Sequence, residues 1–357
     1  MRFSRLVKSL ILFFLVLASR SMAVLPIDPM EVIAKKPELE KALADFEAQM
    51  QALDAEIDLP VKAALSSYTQ AIEALNIKYS QMPEGTHWSQ MNKLLSVGLS
   101  SLFSHKMLVE RRGINIQFEP NASAEVTALW SKVLRAQQIA KQAVAPRKSA
   151  LILNLNKTLV ALDNSFLTQR DVIGREIIVR ARASLSIRIA VEAERLDTTR
   201  LNSKFSREVW RDVATDGGYL VGFEWAKGEQ RGRKDAQGQP ILTEVVSLLK
   251  PIFATPRTVR DGGSRGSGQG AREVAKDGYA VSGISVQGEP VKAFKITFMQ
   301  LKPDGISLDP AHTYTSEWLG NSGTGDVVEF RSKGKVAVGI IGGSTYNVDS
   351  IGMIYLK

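Results

Sequence analysis

A chain of 357 residues has room for two domains of about 150 residues behind a targeting segment. Its 44% hydrophobic and 23% charged residues exclude a wholly disordered, collagen-like or multi-span membrane protein. Cysteine is absent, which rules out disulfides, thiolate metal sites and a lipid-modified cysteine anchor together, so packing alone must hold the fold.

Arg2, Arg5 and Lys8 precede an apolar run from Leu10 to Ala18, and Ser21-Met22-Ala23 then puts small residues at the two positions a signal peptidase reads. The run is shorter than the roughly 20 apolar residues a membrane-spanning helix needs. Residues 1–23 are therefore expected to be a signal peptide. The protein is expected to be exported, periplasmic or extracellular, with no stable membrane insertion after cleavage. Loss of Arg2, Arg5, Lys8 and Arg20 removes four of the nine net positive charges. What remains suits solubility and does not point to a nucleic-acid partner.

Only four of the 27 glycines precede Gly217. Upstream the vocabulary is Ala, Leu, Glu, Lys and Gln; downstream it is Gly, Val, Ile, Thr and Tyr, helix and strand formers respectively. A join near residues 200 to 215 divides the chain into a helical region, 24–208, and an all-β domain, 209–357. Leu39, Leu43, Phe46, Met50, Leu53 and Ile57 fall on one helical stripe. Asp58 to Pro60 breaks it, and Val61, Leu65, Tyr68, Ile72, Leu75 and Tyr79 resume it, the pattern of an antiparallel helical hairpin or short coiled coil. Further helices are predicted at about 89–111, 123–167 and 170–205. Ser66 to Gly113 and Asn156 to Asp197 are weakly alike, so a duplicated hairpin stays open.

The second half alternates short apolar runs with turn residues. Strands are predicted at Tyr219–Trp225, Ile241–Phe253, Tyr279–Val286, Val291–Leu301, Val327–Phe330, Val336–Ile341 and Ile351–Leu356. Close spacing without intervening helices indicates an all-β sandwich, barrel or prism.

Motifs for chemistry are few. His87, His105 and His312 are far apart and have no ligand spacing, so no metal or cofactor is expected. Asp304, Asp309 and Glu317 could offer calcium oxygens, without EF-hand spacing. His312, Ser316 and Glu317 are the residue types of a nucleophilic triad, but the run from His312 to Trp318 alternates like a strand and no nucleophile elbow precedes it. Gly262 to Gly270, with Arg260, Arg265 and Arg272 nearby, lacks the Gly-Lys-Ser/Thr of a nucleotide loop and reads as a flexible inter-strand loop. Lys227, Arg231, Arg233 and Lys234 read as a solvated hairpin tip. The sequons at Asn121 and Asn156 matter only in a eukaryotic secretory pathway.

Three stretches resemble the jacalin-like lectin family. They are Gly278 to Val286, Val291 to Phe298, and Val338-Gly339-Ile340-Ile341-Gly342-Gly343-Ser344-Thr345-Tyr346-Asn347-Val348-Asp349-Ser350-Ile351-Gly352. The resemblance implies a β-prism of three antiparallel sheets and a Gly-x-x-x-Asp loop that binds sugar. Asp349 takes the aspartate position, at the rim of a tight turn, and Gly343, Tyr346 and Asn347 lie on the same loop. Thr345 stands where the motif has glycine, and a β-branched residue disfavours positive φ. Gly342 and Gly343 offer a flexible point upstream of it. Asp216-Gly217-Gly218 is the counterpart of the family's other glycine-rich loop. The wider layout resembles a group of exported bacterial proteins without established activity.

The sequence thus reads as a multidomain α plus β chain: helical hairpins, then an all-β, β-prism domain. It is read as an exported, non-enzymatic protein whose helices serve as spacer or as a surface for homo-oligomerisation and whose prism binds carbohydrate. The alternative is a structural or protein-interaction module of the cell envelope with no sugar site. A hydrolase would need convergent carboxylates or a metal, which no motif supplies. If the export reading holds, N-terminal sequencing of secreted material starts at Val24; a start at Met1 reverses it.

Overall fold

The computed structural model describes residues 33–34, 36–80, 124–201 and 208–357, except 235, 236, 238, 257, 264, 267, 324, 345 and 346. The signal segment 1–23, the helix predicted at 89–111, His87, His105 and the Asn121 sequon lie outside the described residues.

Helix α1 (Pro37–Ser80, 44 residues) runs through Pro60 without a break. The hairpin expected inside this segment is instead one helix. Its apolar stripe explains why: Leu53, Ile57, Val61 and Leu65 keep a spacing of four across the proline, so a turn there would pull one half of the stripe off its partner. That partner is helix α2 (Ala124–Thr168, 45 residues), which also carries a proline inside it, Pro146. The hairpin is therefore made by α1 and α2, antiparallel and about 66 Å long at 1.5 Å per residue. Tyr68 meets Trp130 edge to face at 5.1 Å, and Glu56 is ion-paired with Arg147, so the two prolines lie near the same level.

Helix α3 (Val172–Glu192) folds back along α2, capped by Asp171, whose carboxylate accepts from the Gly174 N–H at 3.0 Å and binds Lys36. Leu39, Leu43, Phe46 and Met50 of α1, Leu155, Leu159 and Phe166 of α2, and Ile177, Ile178 and Leu185 of α3 form one core. Beside it Arg188, 6% exposed, reaches Asp54 at 3.4 Å, while Lys148 reaches Asp54 at 2.6 Å and Glu192 at 3.1 Å. Two cations and two carboxylates thus fix the three helices in register.

The helix predicted to reach residue 205 stops at Glu192. Glu194 turns left-handed (φ 53°), Arg195 N–H bonds back to the Ala190 carbonyl at 2.9 Å, and the chain enters strand β1 (Leu196–Thr198). Among the described residues thirteen strands follow: β2 (Glu208–Val213), β3 (Tyr219–Lys234), β4 (Pro240–Ala254), β5 (Val259–Asp261), β6 (Arg265–Gly266), β7 (Ala271–Val274), β8 (Tyr279–Gln287), β9 (Ala293–Leu301), β10 (Leu308–Thr315), β11 (Leu319–Gly320), β12 (Val327–Arg331), β13 (Ala337–Ser344) and β14 (Val348–Leu356). They make three antiparallel sheets, ordered β1-β14-β13-β2, β5-β4-β3-β7 with β6 beside β4, and β10-β9-β8-β12 with β11 beside β9. Trp210, Ile340, Ile351 and Met353 of the first sheet, Phe223, Leu249 and Phe253 of the second, and Ile284, Phe294 and Phe298 of the third meet in one interior. Three sheets around one core make a β-prism, the fold the sequence resemblance implies.

The prism has two ends. At one, Ile187 of α3, fully buried, packs on Leu308, Val336, Val338, Ile354 and Leu356. Gly305 and Gly217 lie under Ala183 and Ser184 of the same helix. The nine residues of β14 are buried throughout because Ile351, Met353 and Tyr355 face the prism interior while Ile354 and Leu356 face α3. Helical and β halves are therefore packed together. Ile187→Ala is expected to cost about 2–5 kcal/mol of stability. Thermal unfolding of the full chain measures it; a cost near zero would mean that α3 only rests against the prism.

Candidate functional site

The end of the prism away from α3 carries the β13–β14 turn. Along the first sheet Gly343 pairs with Ser350, and Ser344 with Val348. Asp349 is thus the extra residue of a β-bulge, directly after Val348, where the chain re-enters the sheet. A bulge bends its strand and re-aims the side chain it carries. Asp349 is 8% exposed, deeper than the rim position the resemblance implies. Asn347 is half-buried at the bend, and Gly343 is buried within β13, between Ser350 and Val209. Thr345 and Tyr346 lie outside the described residues. Gly342 is no flexible point: the Trp210 indole lies over it, and a Cβ there would come within 2.2 Å of the ring.

Two segments of the third sheet flank this turn. Val291, between β8 and β9, donates its N–H to the Val348 carbonyl at 3.0 Å and accepts from Val246 N–H of β4 at 2.8 Å. The next residue, Lys292, accepts from Asn321 N–H at 3.0 Å, bringing the loop after β11 alongside at Asn321. Gln287, 4% exposed, holds that loop: its amide donates to the Gly323 and Gly325 carbonyls at 2.7 and 2.8 Å and accepts from Gly323 N–H at 3.0 Å. The sequence reading placed Val291 only at the start of a strand and gave Gln287 no role; the Gly-Asn-Ser-Gly run at 320–323 was the available sign of a turn.

Asp216-Gly217-Gly218, the expected second loop of the site, is at the opposite end. β2 pairs Glu208 with Ser344 and Val213 with Gly339, so the loop after Val213 leaves the sheet five residues from the β13–β14 turn. There Gly217 (φ +84°) lies against the Ser184 carbonyl of α3, where any Cβ would clash. Asp216 receives both arms of the Arg260 guanidinium, at 2.5 and 2.9 Å, and Gly218 N–H at 3.2 Å. Burial raises the carboxyl's pKa, and Arg260 together with Gly218 more than offsets this, so it titrates below the usual carboxylate range.

Other sequence candidates separate. His312 Nδ1 lies 2.9 Å from Asp309, whereas the Ser316 hydroxyl donates to the Glu317 carbonyl at 2.7 Å and accepts from Ile296 N–H at 3.0 Å, so they do not form a triad. Asp304 accepts from Ile306 and Ser307 N–H groups in its own turn. Among the described residues no three His, Asp or Glu side chains are grouped to hold a metal, and no helix is long and apolar enough to cross a membrane. Within the glycine-rich stretch at 262–270, β6 runs beside Leu248 and Leu249, Gly263 N–H donates to Asp212 at 2.5 Å, and Gly266 (φ +89°) lies against the Ser247 carbonyl. Arg260 and Arg272 are held by Asp216 and Asp261. Lys227 pairs with Glu244 at 2.7 Å across the β3–β4 hairpin.

No family model matches the chain, and a search of curated proteins finds no match. Among solved structures the chain is similar to a mannose-specific jacalin-related lectin from Morus nigra in complex with mannose, at 13% identity and TM-score 0.31 over 46% of this chain and 96% of that one. It is also similar to the artocarpin–mannotriose complex (13%, TM-score 0.33, 46% and 99%) and to frutapin, a lectin from Artocarpus incisa (13%, TM-score 0.32, 46% and 98%).

Because the Asp216 carboxyl is held below its unfolded value, its contribution to stability is complete above the unfolded pKa and is lost as pH falls through the folded one. Asp216→Asn is expected to remove that part of the acid-side slope in a pH series of thermal unfolding. An unchanged slope would show that the Arg260 contact does not stabilise the fold.

Proposed function

We propose that the β-prism binds carbohydrate at the end carrying the β13–β14 turn, in an exported, non-enzymatic protein whose helices hold the prism by its other end. The observation that carries this reading is the Asp349 bulge at the one end of the prism that α3 leaves uncovered. Asn321, Gly323 and Gly325, tied to Lys292 and Gln287, bring backbone polar groups to the same end of the prism. Mannose and mannotriose, the sugars in two of the similar lectin structures, are the first probes.

A second reading, a structural or protein-interaction module with no sugar site, is favoured by the depth of Asp349 and by Thr345 in place of the motif glycine. Asp349→Asn separates the two. Charge-assisted hydrogen bonds are worth about 1.5–3 kcal/mol and the near-isosteric amide keeps only part, so affinity is expected to fall roughly tenfold to a hundredfold. Titration of both proteins with mannotriose and a glycan array, beside their melting temperatures, reads the outcome. Reduced stability with no glycan bound by either protein assigns Asp349 to the scaffold.

A further inference from the structure

The β3–β4 hairpin outruns the sheet that supports it. β7 lies beside β3 only over Gly222–Trp225; β6 and β5 lie beside β4 only over Leu248–Leu249 and Ile252–Ala254. Beyond them, among the described residues, β3 from Ala226 and β4 back to Pro240 pair with each other and have no strand on either outer edge. Such an edge presents a row of backbone N–H and C=O groups, a template for another strand. The arm rises from the same end of the prism as the β13–β14 turn, because Val246 at its base is bonded to Val291.

The β3 edge is complementary to itself. Place two copies antiparallel about a two-fold axis at Gln230: each Glu229 comes opposite the other copy's Arg231, and each Gly228 opposite Gly232. Glu229 and Arg231 are exposed, so two opposite-charge cross-strand pairs form while the glycines add no bulk. Farther out Lys227 opposes Arg233, but Lys227 is already held by Glu244 of its own hairpin, which offsets the repulsion. Moving the axis to Glu229 or to Arg231 sets like charges against each other. The β4 edge, centred on Thr243, would set Leu242 against Glu244.

We infer that a second copy of this chain docks on the β3 edge of the arm, giving a two-fold, salt-sensitive dimer. Sedimentation of the full chain over a concentration series is expected to show reversible dimerisation that weakens with added salt. Glu229→Arg and Arg231→Glu, each converting both symmetric pairs to like charges, are expected to weaken association at least roughly tenfold. The double variant Glu229→Arg/Arg231→Glu restores the pairs with their signs exchanged and is expected to recover dimerisation, so loss through misfolding is distinguished from loss of the contact. A chain that stays monomeric throughout overturns the inference. So does a dimer insensitive to the single substitutions, which would place the contact on another surface, the helices included.

Discussion

The peptide of Val291 joins the three sheets of the prism. Its carbonyl accepts from Val246 of the second sheet, its N–H donates to Val348 of the first, and it sits in the turn between β8 and β9 of the third. Its side chain is fully buried in the common core. Sheets that share a core through side chains alone could slide against one another; two backbone hydrogen bonds in opposite directions fix where each ends. The β13–β14 turn, the 321–326 loop and the base of the β3–β4 arm take their positions from this one residue and its neighbour Lys292.

At the other end the constraint is helical. Consecutive residues of α3 point to different partners: Ile187 enters the apolar patch on the prism, and Arg188 lies over Phe46 and reaches Asp54 of α1. The same helix runs directly into β1, which pairs Leu196 with Leu356 at the edge of the first sheet. The helical half is thus tied to the prism covalently, by sheet pairing and by packing. Gly217 belongs to this junction, since only glycine fits against Ser184 at that φ.

Much of the fold could be read from residue types. The glycine gradient separates the halves, and the stripe from Leu39 to Ile72 runs unbroken along α1. Reading Pro60 as a break gave too much weight to one residue, because proline removes a single hydrogen bond while the stripe holds the helix to α2. β1 and β2 fell inside the change of composition, where three to six residues carry no periodic signal. The 262–270 glycines look alike whether a loop is flexible or pressed on a sheet; only the closeness of the Ser247 carbonyl to Gly266 distinguishes the two. For the site, the motif pointed to Asp349 and its turn, but the bulge that buries it depends on which residues of β13 and β14 face each other, which local sequence does not state. The same holds for Asp216-Gly217-Gly218: strand direction, not composition, puts it at the far end.

On the proposed reading the prism is held at one end by helices and takes carbohydrate at the other. Backbone hydrogen exchange of the full chain, with and without a bound glycan, tests this most directly. Protection is predicted in 343–349 and in 287–292, with none added at 214–218. Protection centred on 214–218 or on α3, with 343–349 unchanged, would contradict it.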